Sequence, residues 1–497
     1  MANVWLDRHN RWAGIRRTYT VVAFVLLVSL DNVAIGLAPP LYTPISAALQ
    51  TTESAIGLVT AANILISAAA AVAWAYVGDR ANRKLLLITG TLLWTAASAS
   101  TALADDLGTF IAAQLLGAIG LGAVGSVGFS VVSDLVSPRR RGLAMSLFGL
   151  SQGIGTLAGT LVGGILGATD WHRPFRVLAV VGLLAVLLFL PTYNVRRGQS
   201  EPDLANMFAA GHDYHHRISR QDLAVLIARR SNVWLVLQGV TAQLTFGSLV
   251  WLPRLFQAKA EAQGYPQQTA IVVGAVFATL FQLGGLFSII GGLVGDRVQL
   301  RTPRGRALVA AAGITAGIPF YVLLFFTPVR LSIPPGAEAG AIAASVLGSV
   351  LSEPTVAISF VCALLALALT SANAPNWFAM IADVNLPEHR GTVYSAGNLA
   401  NGIGRAAGNG IVGVVFAALT RAMPAPLNYA VGLALFQVFF IPTAWMYYRA
   451  SRTTPADIDN VRDTLRARSN APAARWPADE TAAVSDTPDL TADAKSQ

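Results

Sequence analysis

Charge is what this sequence has least of. Only 12% of its 497 residues are Asp, Glu, Lys or Arg, while 54% are hydrophobic and the mean hydropathy is +0.55. A water-soluble domain covers its surface with about twice that share of charge, so a soluble fold is excluded. Cysteine is nearly absent as well: a single Cys362 rules out a disulfide framework and a thiolate metal cage. There is no Gly-x4-Gly-Lys-Ser/Thr loop to cradle a nucleotide, which leaves ATP-driven chemistry unsupported. No residues are spaced as a catalytic constellation, so neither enzymatic activity, cofactor nor metal is expected. His212, His215 and His216 stand with Asp213 in a polar loop, where a solvated cluster is commoner than a metal site. Nothing resembles a cleavable signal peptide, because the first apolar run begins near Tyr19 and is long enough to span a bilayer.

What the sequence does have is long apolar runs. Twelve can be read as spans, near 19–38, 55–77, 85–103, 108–134, 142–167, 174–193, 232–256, 268–294, 307–327, 355–382, 392–419 and 426–447. The implied class is an all-α polytopic membrane protein. A net charge of +9 invites a nucleic-acid or acidic partner, but its distribution argues otherwise. With both termini cytoplasmic, Arg173, Arg176, Arg254, Lys259, Arg330 and Arg421 fall outside and Arg405 within a helix. All the rest of the 35 Lys and Arg fall in cytoplasmic segments. That is the positive-inside bias, which places a multi-pass chain in the inner or plasma membrane. Binding to lipid headgroups is a secondary use of the same charge.

The spans fall into two sets of six. Residues 1–193 form the first bundle and 232–448 the second, joined by a polar cytoplasmic linker, 194–231, and followed by a polar tail, 449–497, expected to be mostly disordered apart from a short helix around 457–468. Within the linker Ser219 reads as the cap of an interfacial helix, with Asp222 at the capping-box position and Leu223, Leu226 and Ile227 on one face. The two bundles repeat each other. Asp134, Pro138, Arg141, Gly142, Ser146, Gly153, Ile154, Gly155 and Gly159 recur as Asp383, Pro387, Arg390, Gly391, Ser395, Gly402, Ile403, Gly404 and Gly408, all offset by 249 residues. Charges, a proline and glycines held at one register mark a duplication, a common transporter plan. The second half carries an extra segment, 329–354, expected to form a small external helix or lid.

The inner end of span two reads Ala75-Tyr-Val-Gly-Asp79-Arg80-Ala-Asn82-Arg83-Lys84, and span eight ends on a second copy, Gly292-Leu-Val-Gly-Asp296-Arg297. This pair resembles the loop signature of the major facilitator superfamily, with Ala75 and Asn82 in place of two glycines. The resemblance implies the major facilitator fold, twelve transmembrane helices in two pseudo-symmetric six-helix bundles. It also implies a cytoplasmic gate built from Asp79, Arg80, Arg83, Asp134 and Arg141 in one half and Asp296, Arg297, Asp383 and Arg390 in the other. Physically, an acid at a helix end meets a facing helix N-terminus while arginines pair with neighbouring acids. Gly155, Gly159, Gly163 and Gly164 in span five resemble the family's antiporter motif, with Thr160 where proline is usual. Ordinary close packing explains those glycines equally well, since span eleven carries Gly404 and Gly408.

A narrower resemblance is to the Spinster-like branch. It rests on Asp222 to Leu226, Phe246-Gly247 through Trp251-Leu-Pro253, Gly284-Gly285, Arg301-Thr-Pro-Arg304-Gly-Arg306, Pro375-Asn376 and Pro387 through Gly391. It implies an amphiphilic or lipid substrate such as a lysophospholipid, coupled to protons. The first half departs from that pattern, with Asp31-Asn32 for Asp-Arg and with Gln114 and Leu121 for an arginine and a glutamate.

Burying an ion in a bilayer costs roughly 2.5–3.5 kcal/mol on insertion scales, so Asp31 and Arg405, set inside spans, each need a reason. Asp31 is a proton-coupling candidate or a structural acid; Arg405 is an anion site or a fixed partner for backbone or for Asp31. Tyr394, Asn398, Asn401 and Arg405 recur at helical spacing, as do Asn373, Asn376 and Trp377. With Asn32, Asn63, Gln152, Gln243, Trp251 and Gln282 they are expected to line a central amphiphilic cavity, a share of them making interhelical bonds instead. The reading is a monomeric secondary transporter of an amphiphile. A proton-linked drug exporter and a non-transporting sensor are its rivals.

Overall fold

The computed structural model describes residues 2–78, 81–128, 131, 141–193, 229–386 and 389–469. A chain in hydrocarbon must satisfy its backbone from within each segment, so the apolar runs close as helices. They are α1 (Ala2–Leu37), α2 (Glu53–Gly78), α3 (Arg83–Thr101), α4 (Leu107–Ala123, prolonged by a π-turn Val124–Gly128), α5 (Arg141–Gly167) and α6 (Arg173–Phe189). The second set comprises α7 (Arg230–Ser248 and Leu252–Glu261), α8 (Gln267–Gln282 and Ser288–Arg301), α9 (Gly305–Phe326), α10 (Pro354–Ser371 and Asn373–Val384), α11 (Arg390–Leu419) and α12 (Leu427–Phe436 and Phe440–Ser469). Among the described residues nine stretches are long and apolar enough to cross a membrane by composition alone. The expected twelve are completed by α3, diluted with Ser and Thr, by α6, with 17 residues, and by α5.

Four spans are broken midway, and each break has a local cause. Pro253 has no N–H for the Leu249 carbonyl, and α7 tightens to a 3-10 turn at Leu249–Trp251. Pro442 likewise lacks the N–H that would serve the Val438 carbonyl, where α12 turns 3-10 over Gln437–Phe439. Pro375 lacks the one for Ser371, the last residue of the first segment of α10. In α8 the Gly284-Gly285 pair sits in the 3-10 stretch Leu283–Phe287.

The duplication is visible as packing. α5 lies on α1 as α11 lies on α7. A Cβ on Gly155 or Gly159 would stand 2.3 or 2.2 Å from the Ser29 or Val33 carbonyl oxygen, and one on Gly404 or Gly408 2.3 or 2.1 Å from that of Val240 or Leu244. The glycines of the motif in span five are therefore matched in the other half, and what they do is let two backbones touch. Only Gly164 among them reaches the opposite bundle, against Ala275 of α8.

One difference from the sequence reading concerns the end of the second bundle. The boundary expected at residue 448 is absent, because α12 runs on to Ser469. Ile458 and Val461 are buried there, the Ser231 amide donates to Asp457 and the Ser231 and Thr453 hydroxyls lie 2.7 Å apart, so the polar-looking extension has a docked face. The extra segment does form a helix, Ala339–Ser352. The linker and its helix from Ser219 lie outside the described residues.

Candidate functional site: a cleft closed at one end

At the end of the molecule that carries Glu53, the two bundles are locked together. Arg254 of α7 donates from Nε to both Glu53 oxygens, at 2.8 and 2.9 Å, and from Nη1 to Glu261 at 3.0 Å. Glu53 also accepts from the Tyr429 hydroxyl at 3.1 Å and from Thr43 Oγ1 at 2.7 Å. The pair is well sheltered, with 10% of the Arg254 and 20% of the Glu53 side chain exposed. Backbone is used as well: Gln257 donates to the Pro40 carbonyl at 2.8 Å and Asn409 to that of Gly57 at 3.0 Å. Beneath the polar layer an edge-to-face row of rings, Tyr42, Trp251, Phe416 and Tyr429, crosses from one bundle to the other. Trp251 fills the space left by Gly57, where a Cβ would lie 2.3 Å from its ring.

Toward the other end the bundles part. α5 meets the first segment of α8 but makes no comparable contact with the second, among the described residues. Leu286, Phe287, Ile290 and Leu293 of α8 and Ile154 of α5 are exposed as a result. Asn398, Asn401 and Arg405 of α11 stand along this cleft, Asn398 exposed and the other two half-buried. The Arg405 guanidinium is in no ion pair among the described residues, and its Nε is buried without a hydrogen-bond partner. Tyr394 continues the stripe but stacks with Trp377 and Phe378 at centroid distances of 5.8 and 5.5 Å. Gln243 and Gln282 are half-buried in α7 and α8, and Asn32 half-buried in α1.

Asp31 is 4% exposed, and both of its carboxylate oxygens lack a hydrogen bond. The Trp94 indole of α3 lies beside the carboxyl, with its own N–H likewise unpaired. No ion pair joins Asp31 to Arg405 among the described residues, which removes the partnership considered for them.

Several residues expected in the cavity are used for packing. Trp251, 1% exposed, belongs to the closed end, its indole donating to the Asn409 carbonyl at 3.1 Å. Asn376, 1% exposed, donates to the Gly291 and Ala372 carbonyls and so ties α10 to α8. Trp377 donates to the Leu235 carbonyl of α7 at 2.9 Å, Asn373 accepts from Tyr447 of α12, and Asn63 joins α2 to the Gln114 carbonyl of α4 at 2.7 Å. Each is a polar group in an apolar layer that found a hydrogen-bond partner on a neighbouring helix, as desolvation requires. The side chain of Gln152 lies outside the described residues.

The expected gate is also arranged differently. Asp79, Arg80, Asp134 and the Arg141 side chain lie outside the described residues. In the second half the acids are joined by Arg306 of α9, which was not among the expected gate residues: it reaches Asp296 at 2.8 Å and Asp383 of α10. Arg297 is exposed, and Arg390 donates to the Asn385 carbonyl at 3.3 Å. Arg83 is buried, and Asn82, standing where the motif has glycine, caps α3 by accepting from the Lys84 and Leu85 amides. Among the described residues, the ion pairs of Arg306 with Asp296 and Asp383 stay within one bundle. The residues that do cross, Glu53, Arg254, Gln257, Asn409 and Tyr429, went unread. Their one signal was opposite charge at the ends of two spans in a chain so poor in charge.

The Major Facilitator Superfamily model matches residues 22–408. Protein spinster homolog 3 of Danio rerio is 26% identical over 329 residues, 62% of this chain and 63% of its own. The sphingosine-1-phosphate transporter SPNS2 of Mus musculus is 27% identical over 297 residues, 56% of this chain and 51% of its own. The chain thus spans between half and two thirds of the length of these curated relatives. Among solved structures, a bacterial homolog to the human lysosomal transporter Spinster, in an inward-facing and unoccupied conformation, is similar at a TM-score of 0.70 with 18% identity, covering 89% of this chain and 98% of that one. The nucleoside transporter NupG is similar at 0.62 with 12% identity, covering 87% of this chain and 99% of its own; at such identities the likeness speaks for the fold. With that fold, the repeated gate motif and a family model running from α1 into α11, this chain belongs to the Major Facilitator Superfamily.

Proposed function

We propose that the chain is a secondary active transporter that rocks α1–α6 against α7–α12 around a midplane site and carries an amphiphile with an anionic headgroup, a lysophospholipid or related lipid. The observation that carries this reading is Arg405: a permanent cation, buried at Nε and in no ion pair among the described residues, in a spanning helix beside an open cleft. Leaving such a group without a counter-ion is costly, and an anionic ligand removes the cost. The apolar walls of the cleft, Leu286, Phe287 and Ile290, suit a tail, and Asn398 and Asn401 suit polar headgroup atoms. The relative named for sphingosine-1-phosphate transport points the same way. The positive-inside bias puts the cleft mouth in the cytoplasm, both termini with it, and the Glu53 end outside. Binding to purified protein tests the headgroup: lysophosphatidylglycerol should bind well and a neutral monoacylglycerol of the same tail poorly. Equal affinity would remove Arg405 from the site.

Protons are the proposed coupling ion, with Asp31 as the group that carries them, since it is an acid buried within a span with no charged partner among the described residues. In proteoliposomes Asp31→Asn should still exchange substrate down its gradient but ignore an imposed pH difference. A wild-type response in that variant would place the proton route elsewhere.

A further inference from the structure

The helix Ala339–Ser352 between α9 and α10 has no charged residue, and its only polar side chains are the hydroxyls of Ser345, Ser349 and Ser352. One side, Ile342, Val346 and Ser349, is buried against α8 and α10. The other presents Gly340, Ala341, Ala344, Leu347, Gly348, Leu351 and Ser352. Leu347 is 49% and Leu351 93% exposed. A helix with its outer side in water displays charges there; one that is apolar all round belongs in protein or lipid. Its serines behave as they do in hydrocarbon, each hydroxyl bonding back to the carbonyl four residues earlier: Ser345 to Ala341 at 2.9 Å, Ser349 to Ser345 at 2.8 Å and Ser352 to Gly348 at 3.3 Å.

The helix is not a loose flap. The strand of chain leading to it is clipped to the end of α7. Gln263 donates to the Val329 carbonyl at 2.8 Å and accepts from the Leu331 amide at 3.0 Å. Tyr265 donates to the Leu331 carbonyl at 2.8 Å and accepts from the Ile333 amide at 3.1 Å, while Lys259 donates to the Thr327 carbonyl at 2.8 Å. These contacts place the helix at the Glu53–Arg254 end and fix it to the second bundle. Ile358 and Val361 of the following α10 are likewise exposed, at 52% and 50%. Glu338 and Glu353 flank it, and 14 residues reach only about 21 Å, too short to cross a core of about 30 Å. With an acid at each end and an apolar body between, it is shaped to lie along the interface.

From this juxtaposition we propose that Ala339–Ser352 is an interfacial helix seated in the leaflet at the closed end, its outer side covered by lipid acyl chains. It is a keel on the second bundle, moving with it. The test uses the full chain in phosphatidylcholine–phosphatidylglycerol nanodiscs. Cys362 is the lone cysteine, so Cys362→Ser gives a clean background. Nitroxides are placed by Leu347→Cys and Leu351→Cys, with Ser332→Cys on the clipped strand as the aqueous reference. Collision with oxygen should exceed collision with nickel chelate at 347 and 351, with the ratio reversed at 332. Nickel access at 347 and 351 equal to that at 332 would overturn the proposal. So would exclusion of both reagents with spin–spin broadening, the mark of a second copy. A photoreactive acyl-chain lipid on the unaltered chain avoids any effect of labelling. Adducts are expected in 339–352, and adducts on Ile358 and Val361 without them would also overturn it.

Discussion

The two ends of this molecule neutralise their charges in opposite ways. At the closed end the carboxylate comes from one bundle and the cation from the other, so that the Glu53–Arg254 pair exists only while the bundles touch. At the end where the gate motif repeats, Arg306 satisfies Asp296 and Asp383 inside the second bundle, whatever the first one does. A charge paired across a cleft is a conformational statement, because rocking must break it. A charge paired within a bundle concerns stability alone. Sequence cannot separate the two cases, since the residue types are the same.

Breaking the cross-cleft pair should have the largest effect. Removing one partner of a sheltered ion pair costs about 3–5 kcal/mol, and here that cost falls only on the closed state. Arg254→Ala should therefore move the balance toward opening at the Glu53 end by roughly 100-fold. Distances between spin labels at that end of α2 and α7 would report it, as a shift to longer separations. Glu53→Gln keeps the shape of the acceptor and should shift it in the same direction, by less. Unchanged distances in both would mean that the rings around Trp251 hold the end without the charges.

Next comes the unpaired cation. Charge-assisted hydrogen bonds are worth about 1.5–3 kcal/mol, so Arg405→Ala should weaken an anionic amphiphile about 10- to 100-fold and leave a neutral analogue nearly untouched. Lysine at that position should recover part of the loss, having no fork to present. Equal losses for both ligands would make Arg405 a structural residue. Smaller again is the within-bundle pair. Arg306→Ala should lower the melting temperature by a few degrees, about 1–2 kcal/mol given that Asp296 is 59% exposed. It should leave the label distances at the closed end unchanged, and the exposed Arg297→Ala should change neither those distances nor the melting temperature.

The fold was legible because hydropathy, loop charge and a duplicated register are long-range patterns that survive any detail of packing. The same patterns even locate the helix breaks, once Pro253, Pro375 and Pro442 are matched to the carbonyls they cannot serve. The site was less legible. Helical spacing put Asn373, Asn376 and Trp377 on one face of α10, but that face looks at α8, α7 and α12 rather than at the cleft. Spacing reports that a polar face exists and cannot report whether water or a neighbouring carbonyl satisfies it. Glu53 and Arg254 stayed hidden for another reason: 201 residues separate them, and each alone looks like an interfacial charge.

The smallest effect belongs to a charge that is used neither across the cleft nor between helices, and it sets the floor for the comparison. Asp106 precedes α4 and accepts from the Thr109 hydroxyl at 2.6 Å and the Thr109 amide at 2.9 Å, a helix cap of its own chain segment. Those bonds to Thr109, hydroxyl first, hold its carboxyl below the usual aspartate range in the folded chain. A group whose folded value is depressed stabilises the fold above its unfolded value, and loses that contribution as pH falls through the folded value. Asp106→Ala should thus lower the melting temperature slightly at pH 7, and the gap to wild type should shrink as the solution is acidified below the aspartate range. Asp106→Asn keeps an acceptor for the same amide without titrating, so it should show a smaller loss at pH 7. Because the cap lies within one bundle, neither variant should alter the label distances at the closed end. A change there as large as that of Arg254→Ala would mean that local capping and cross-cleft pairing are not separable in this protein.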